Sequence, residues 1–259
     1  MQDVLTVDRN DGIAILTLSE AARRNPIGTA LLAQLDRAIE SMRTDDNVRA
    51  LVLCGEGAAF SAGADLTEIA AFGTAIEFHS FIGRISSTLD RLQELSKPSV
   101  AALHGFALGG GFELALACDL RVAERGTQLG LPEVKLGLLP GASGTQRLTR
   151  LVAPTVARQI ILTGEPLTAE RAYELGLIVD LVDAGESRPA AIRLAQSLAA
   201  TAPLALAAGK RLIDGGAAMS LASAVAYERE AVSMLFTSSD RDEGLRAFRE
   251  RRKPVFRGC

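Results

Sequence analysis

The chain has 259 residues, of which 48% are hydrophobic and 4% aromatic, and it contains no tryptophan. That length allows a sizeable core in one or two domains, and no apolar run reaches the length of a membrane span. The formal net charge of −3 provides no overall attraction to nucleic acid or to a membrane surface, so we expect a soluble protein with neither as a partner.

The first predicted elements form a β-hairpin. Residues 4–7 and 13–18 are strand-like and flank Asn10-Asp-Gly12, a typical hairpin turn. Residues 1–7 lead directly into this pattern and carry an acid, and they resemble neither a secretory signal nor a transit peptide. Cytoplasmic localisation is therefore expected.

Strand and helix patterns alternate through the next part of the chain. The predicted strands are residues 48–54, 98–104, 119–123 and 177–182. Amphipathic helices are predicted at residues 28–43 and 75–95. This alternation predicts the α/β fold class.

A small-residue turn follows the first of these buried strands. Gly55-Glu-Gly57 ends the strand, and residues 59–66 (AFSAGADL) then lead into a helical stretch. A turn of this kind can present a backbone N–H group to a ligand oxygen.

A glycine cluster follows the next buried strand. Residues 105–113 (GFALGGGFE) run directly into an apolar helix. The free N–H groups of a helix N-terminus favour an anion, or an oxygen that becomes one, and two such turns could serve one common oxygen. The structural alternative is a tight turn whose glycines only permit close packing. The spacing matches neither the dinucleotide-binding fingerprint nor a P-loop.

Two glutamates accompany these turns. Glu133 follows Pro132, which suits the first position of a short helix, so Glu133 could simply complement the helix dipole. Glu113 has no such explanation, because Gly110 stands where a capping box needs Ser or Thr. A carboxylate in such apolar surroundings costs stability unless it has a function.

From about residue 190 the pattern is helical. The predicted helices are residues 190–200, 203–215, 221–236 and 241–251. In the third, Leu221, Val225 and Val232 contribute to a mainly apolar face. This end exposes more apolar surface than a monomer should tolerate, which predicts burial against other subunits.

Cysteine and histidine usage adds no further chemistry. Cys54, Cys118 and Cys259 are widely spaced and two lie in apolar runs, which favours free thiols over disulfides. Having only His79 and His104 argues against a metal site. For His104 we favour a packed, hydrogen-bonded side chain over a substrate contact.

Taken together, these segments resemble the crotonase superfamily, also called the enoyl-CoA hydratase/isomerase family. The resemblance rests on residues 59–66, 104–119 and 128–148, and it extends to residues 23–25, 162–165, 172–177 and 248–256. It implies a spiral of ββα units followed by a C-terminal helical region that builds trimers, often stacked into hexamers. We accordingly expect a core domain at residues 1–195 and an oligomerisation region at residues 196–259.

The resemblance also implies a reaction. Ala64 and Gly110 match the two backbone donors of the family's oxyanion hole, and Glu113 and Glu133 match the two catalytic acids of its hydratases. Glu113 would activate water and Glu133 would supply the α-proton, so that a 2-enoyl-CoA becomes a 3-hydroxyacyl-CoA without any cofactor. Isomerisation of the double bond, which Glu133 alone could serve, is the alternative. A low-turnover CoA-ester- or RNA-binding protein is the third reading, disfavoured by the two acids and the acidic balance.

The resemblance further implies substrate- and CoA-binding positions. They are Arg24, Ala62, Asp65, Leu66, Gly141, Phe248 and Arg251. In the family, the last two approach the adenine and 3′-phosphate of CoA, often in a neighbouring subunit. The alternative for this basic tail is a solvated helix end. Departures from the family pattern, among them Ser143 in place of a glycine, leave the acyl-chain preference open.

Overall fold

The computed structural model describes residues 3–259, and its strands form three sheets. The first two residues of the predicted core domain therefore lie outside the described part of the chain. The strands are β1 (Leu5–Asn10), β2 (Ile13–Leu18), β3 (Pro26–Ile27), β4 (Ala50–Gly55), β5 (Gly63–Ala64), β6 (Ser99–Leu103), β7 (Phe106–Leu108), β8 (Leu120–Glu124), β9 (Gln128–Gly130), β10 (Leu167–Thr168) and β11 (Asp180–Val182).

The α-helices lie between and after these strands. They are α1 (Thr29–Thr44), α2 (Leu66–Ala71), α3 (Ala75–Gln93), α4 (Gly110–Ala117), α5 (Gly144–Leu151), α6 (Pro154–Thr163), α7 (Ala169–Glu174), α8 (Ser187–Ala199), α9 (Pro203–Gly216), α10 (Leu221–Leu235) and α11 (Ser239–Glu250). Short 3₁₀ helices span Ala21–Arg23 and Pro132–Leu136. The predicted α/β class is confirmed.

The main sheet has the strand order β1-β2-β4-β6-β8-β11. Strands β1 and β2 are the predicted hairpin and pair antiparallel, with Asn10 opposite Ile13. The two loop residues, Asp11 and Gly12, both have positive φ, as the tight turns that match strand twist require. All other pairs in this sheet are parallel.

The central strands are buried on both faces. On β4, Leu51 and Leu53 belong to the larger core cluster, which also contains residues of α1, α3 and α4. Val52 and Cys54 face the other way, into a second cluster with alanines of α8. This alternation explains why the strand reads as a continuous apolar run.

A small sheet and a strand pair extend from the main sheet toward the carboxyl ends of its strands. In the small sheet β7 pairs parallel with β9, and β10 pairs antiparallel with β9. The remaining pair, β3 and β5, is parallel. These short strands hold the turns that follow β4 and β6.

Helices α9 to α11 lie at the other end of the main sheet, where its parallel strands begin. Lys210 Nζ on α9 donates to Asp119 Oδ2 at 2.8 Å and to the Lys97 carbonyl at 3.4 Å, just before β8 and β6. Arg49, which precedes β4, donates to the carbonyl of Phe256 at 2.7 Å. The C-terminal helices are therefore held at the amino ends of the strands.

The predicted division between residues 195 and 196 falls inside α8, which packs on the main sheet. We therefore assign all of α8 to the core, and the division into two domains stays a prediction. Within residues 3–259 no single helix is long and apolar enough to cross a membrane, although α8 and α9, bent by 108°, pass that test as a pair.

Candidate active site

Two backbone N–H groups lie side by side where the turns after β4 and β6 meet. Asp65 N donates to the Ile27 carbonyl at 3.0 Å, so the N–H of Ala64, its neighbour in the strand, points away from β3. Gly110 is the first residue of α4, where an N–H has no acceptor within the helix. A Cβ atom on Gly110 would lie only 3.2 Å from Ala64 N. The predicted pair of donors is therefore brought together.

The glycines make this approach possible. Gly63 has a φ of +100°, and a Cβ there would lie 2.7 Å from the carbonyl oxygen of Leu108. A Cβ on Gly111 would lie 2.7 Å from the Ser61 side chain. These glycines therefore do permit close packing, which was the structural alternative for the cluster. The same close packing places the two donors together.

Asn25 and Ser61 fix the turn that carries Ala64. The buried Asn25 amide donates to the carbonyls of Glu56, Ala59 and Phe60 at 2.9, 2.9 and 3.1 Å. Ser61 Oγ donates to the Asn25 carbonyl at 2.7 Å and accepts from Gly63 N at 3.2 Å. Sequence reasoning gave these two side chains no role of their own.

Glu113 lies in the first turn of α4 and is only 3% exposed. Its Oε1 accepts hydrogen bonds from Gly144 N at 2.7 Å and Ala142 N at 2.9 Å. Burial raises the pKa of Glu113 to about 7, and the charge of Glu133 adds to this, whereas the two N–H groups and Arg147 lower it. The carboxyl can therefore change protonation state near neutral pH.

Glu133 is the second residue of the 3₁₀ helix Pro132–Leu136, and Pro132 occupies the first position as predicted. Its Oε1 lies 3.0 Å from the Cβ position of Gly109, next to the first turn of α4. Its Oε2 is buried and has no hydrogen-bond partner within the described residues. Burial raises the pKa of this carboxyl. An orphaned buried oxygen costs stability, which favours a functional role over simple dipole complementation.

These groups define a chemical capability. Two convergent N–H groups can stabilise an oxygen that gains negative charge during a reaction. Two carboxyls with raised pKa values can take up and release protons on either side of it. Within residues 3–259 no group of three or more His, Cys, Asp or Glu is arranged to hold a metal ion.

Three of the predicted CoA-binding residues lie exposed beside Ala64. The Arg24 guanidinium stands 5.9 Å from the centre of the Phe106 ring, and the Arg24 carbonyl accepts from Ala62 N at 2.9 Å. Leu66 begins α2 and is 56% exposed. A substrate contact for these residues stays a prediction.

Asp65, also predicted to bind substrate, is engaged elsewhere. Its carboxylate accepts from Thr67 N and Glu68 N, which caps α2, and it pairs with Arg23 at 2.8 Å. Burial raises the pKa of Asp65, but the Arg23 and backbone hydrogen bonds outweigh this and lower it overall. The side chain of Asp65 thus stabilises the fold around the site.

Gly141 lies between α3 and Glu113. A Cβ there would be 3.0 Å from Ile82, and its carbonyl lies 3.4 Å from Ser86 Oγ. Its neighbour Ala142 donates to Glu113. Gly141 therefore lies next to the turn that holds Glu113, and a substrate contact for it stays a prediction.

Phe248 and Arg251 are not brought to the site of their own chain. Phe248 is 84% exposed on α11, and Arg251 is the exposed residue that ends this helix. Both lie with the C-terminal helices at the amino ends of the strands. His104 is also outside the donor pair, with its Nε2 3.1 Å from the carbonyl oxygen of Gly57.

Comparison with known proteins points to one family. A sequence model of the family described as enoyl-CoA hydratase/isomerase matches residues 8–259. The chain is 39% identical to the 2,3-dehydroadipyl-CoA hydratase of Escherichia coli, over 98% of both chains. It is 36% identical to the short-chain-enoyl-CoA hydratase of Clostridium acetobutylicum, over 95% of both.

A solved structure shares the whole architecture. An enoyl-CoA hydratase from Bacillus anthracis superposes with a TM-score of 0.96 at 34% identity, covering 99% of this chain and 100% of that one. The sequence, the fold and the paired donors beside Glu113 and Glu133 thus lead to one conclusion. The chain belongs to the enoyl-CoA hydratase/isomerase family, the crotonase superfamily, whose members act on acyl-CoA thioesters.

Proposed function

We propose that this protein is a hydratase that adds water across the double bond of a 2-enoyl-CoA to give a 3-hydroxyacyl-CoA. The observation that carries the proposal is a buried Glu113 and a half-buried Glu133, whose Oε2 is enclosed, beside one pair of backbone donors. Hydration needs a base for water and an acid for the α-carbon, whereas moving a double bond needs only one group that shuttles a proton. Glu113 is the candidate base for water, and Glu133 is the candidate acid for the α-carbon.

The proposed reaction begins with the thioester oxygen bound by the N–H groups of Ala64 and Gly110. Glu113 takes a proton from water as the water oxygen bonds to carbon 3 of the enoyl group. The electron pair of the double bond moves to form the enolate, whose negative oxygen the two N–H groups stabilise. Glu133 then gives a proton to carbon 2, and proton exchange with solvent restores both acids.

The surroundings of the two acids support this division of labour. The carboxylate of Glu113 accepts two backbone N–H bonds, which favour its ionised form. Glu133 has a buried oxygen without a partner, which favours its neutral form. Burial raises the pKa values of both carboxyls, so one can act as base while the other still carries its proton.

The proposal extends to assembly. We propose a homotrimer, with a stack of two trimers as the alternative, in which Phe248 and Arg251 of one copy approach the CoA bound by another. This is supported by their position far from their own site and by the apolar side chains that α9 to α11 and the tail expose. These are Leu204, Ile213, Met219, Leu221, Val225, Val232, Met234, Phe236, Leu245, Phe248 and Val255.

The proposed reaction is tested by following the absorbance of the conjugated thioester of crotonyl-CoA. The purified protein should remove the conjugation and yield 3-hydroxybutyryl-CoA. Glu113→Gln and Glu133→Gln should each lower the rate by roughly 10²–10⁴-fold, whereas Glu94→Gln, an exposed position on the surface, should not. A Glu113→Gln variant with near wild-type rate would exclude the two-acid mechanism. Conversion of a 3-enoyl-CoA to the conjugated ester by that variant would instead favour the isomerase.

A further inference from the structure

Arg147 on α5 is a buried arginine that joins three parts of the molecule near Glu113. The residue is 9% exposed. Its Nε donates to Gln93 Oε1 at 2.8 Å, and one terminal nitrogen donates to Asp90 Oδ1 at 2.6 Å, both on α3. The other terminal nitrogen donates to the carbonyl of Ala142 at 3.3 Å. The guanidinium therefore links α3 to the turn between the 3₁₀ helix and α5.

That turn is the one that holds Glu113. Ala142 donates through its N–H to Glu113 and accepts through its C=O from Arg147. Gly144, two residues later, is the second donor to the same carboxylate oxygen. Between them Ser143 has a left-handed backbone with φ of 76°, so both N–H groups point to one side of the turn. The direction in which these two N–H groups point depends on how firmly the turn is fixed.

Resting on the proposed hydratase function, we propose that Arg147 is a positioning residue for the base. It fixes residues 140–144 against α3 so that two backbone N–H groups stay aimed at the Glu113 carboxylate, and its positive charge helps to keep that carboxylate ionised. The hydrogen bonds of Arg147 go to Gln93, Asp90 and Ala142, so it acts on Glu113 through the Ala142 backbone and through its charge.

The other charges around Glu113 show what Arg147 has to offset. Glu133 raises the pKa of Glu113 by repulsion, and Arg147 lowers it by attraction. On α3, Asp90 pairs with Arg147 and has a side chain that is 55% exposed, so water screens its charge. The residues of β3, β5 and β7, which also pack on α4, carry no ionisable side chain. On α5 itself, Arg150 is exposed and contacts Gln146.

Two variants separate the charge of Arg147 from its geometry. Arg147→Met removes both, so the acidic limb of the kcat/KM profile should move to higher pH and kcat should fall about tenfold or more. Arg147→Lys keeps the charge but cannot bridge three acceptors, so kcat should fall while the limb moves less than in Arg147→Met. KM should change less than about twofold in both, because Arg147 does not touch substrate. Arg150→Met is the matched control on the same helix and should behave as wild type.

A second readout does not depend on turnover. The infrared carboxylate band of Glu113 in the ligand-free protein is isolated by subtracting the spectrum of the Glu113→Gln variant. Its titration midpoint should rise in Arg147→Met and not in Arg150→Met. If Arg147→Met folds and leaves both the midpoint and the limb unchanged, the proposal is overturned.

Should Arg147→Met fail to fold, Arg147→Lys decides. A lower kcat with an unchanged KM supports the positioning role, and wild-type kcat overturns it. Failure of the hydratase proposal looks different, because then the wild-type protein hydrates no enoyl-CoA while the infrared titration still reports on Arg147.

Discussion

The two ends of the strands in the main sheet differ in how their apolar side chains are covered. At the carboxyl ends of the strands the large side chains of Phe60 and Phe112 are fully enclosed within one chain. In helices α9 to α11, at the amino ends, the buried apolar residues are only Ala208, Ala231 and Ala247. The first end carries the candidate site, and the second exposes apolar side chains that the proposed assembly would bury.

The acidic side chains at the two ends of the strands also differ, because their pKa values are shifted in opposite directions. Burial raises the pKa values of Glu113 and Glu133, which suits proton transfer. On α11, Glu243 pairs with Arg252 and accepts from Val255 N, which lowers its pKa to about 2. Asp240 accepts from Arg257 N and Gly258 N at 2.7 and 2.8 Å. These α11 acids fasten the tail to its helix, so removal of the tail would disturb structure as well as any contact with CoA.

The largest effect is expected where the donors converge. In Gly110→Ala the new methyl group would lie 3.2 Å from Ala64 N, in the space where the thioester oxygen should bind. The hydration rate should fall by about 10²–10³-fold without a change in assembly. Steady-state kinetics and light scattering check this. Gly83→Ala, where a Cβ meets nothing within 4 Å, is the matched control and should keep full activity.

A second expected effect concerns the C-terminal helices at the amino ends of the strands. Val232→Glu places a charge on the exposed apolar face of α10, and burying it against another subunit should cost several kcal/mol per contact. Light scattering should show monomers, with activity falling if the neighbouring copy completes the CoA site. Gln159→Glu on α6 adds the same charge to the core surface and should stay assembled. If the wild-type protein is already a monodisperse monomer, this apolar face is not buried against another subunit.

A third effect links the base to stability. The pKa of Glu113 rises from 4.5 to about 7 on folding, so the folded state binds this proton more tightly than the unfolded chain. The contribution is therefore favourable at low pH and is lost as pH rises from about 4.5 to 7. In chemical unfolding at fixed protein concentration, Glu113→Gln should gain on wild type by roughly 2 kcal/mol between pH 5 and pH 8. A difference that stays constant with pH, as expected for Glu94→Gln, would argue against the raised pKa.

The smallest expected effect tests the turn beneath Glu113. Ser143 has a φ of 76° and its side chain makes no capping hydrogen bond. Ser143→Gly should therefore raise the free energy of unfolding by about 0.5–1 kcal/mol, because glycine adopts this conformation without strain. Thermal unfolding measures the change. Ser143→Ala keeps the strain and should give no increase.

Much of the fold could be predicted from sequence periodicity, because the long helices and central strands have strong patterns. Helix α3, for example, begins at a complete capping box of Thr74 and Glu77. The two-residue strands β3 and β5 could not be predicted, since two residues carry no alternation. Helices α5 to α7 are short and lack a long apolar stripe.

The site divides in the same way. Both glutamates and both donors could be identified from local motifs and from the family resemblance. The partners of Glu113 could not, because Ala142 and Gly144 are 29 and 31 residues away and act through their backbones. Asp65 could have been read differently, since an acid just before a helical stretch is a typical N-cap.

In the proposed reaction, water adds to carbon 3 of an enoyl-CoA that is bound between Glu113 and Glu133. The most direct test is mass spectrometry of the product formed from crotonyl-CoA in water labelled with oxygen-18. Hydration predicts a 3-hydroxyacyl-CoA with the label at carbon 3, and no such product from Glu113→Gln on the same timescale. Loss of conjugation without label at carbon 3, or label in a free acid released from CoA, would exclude hydration as the reaction.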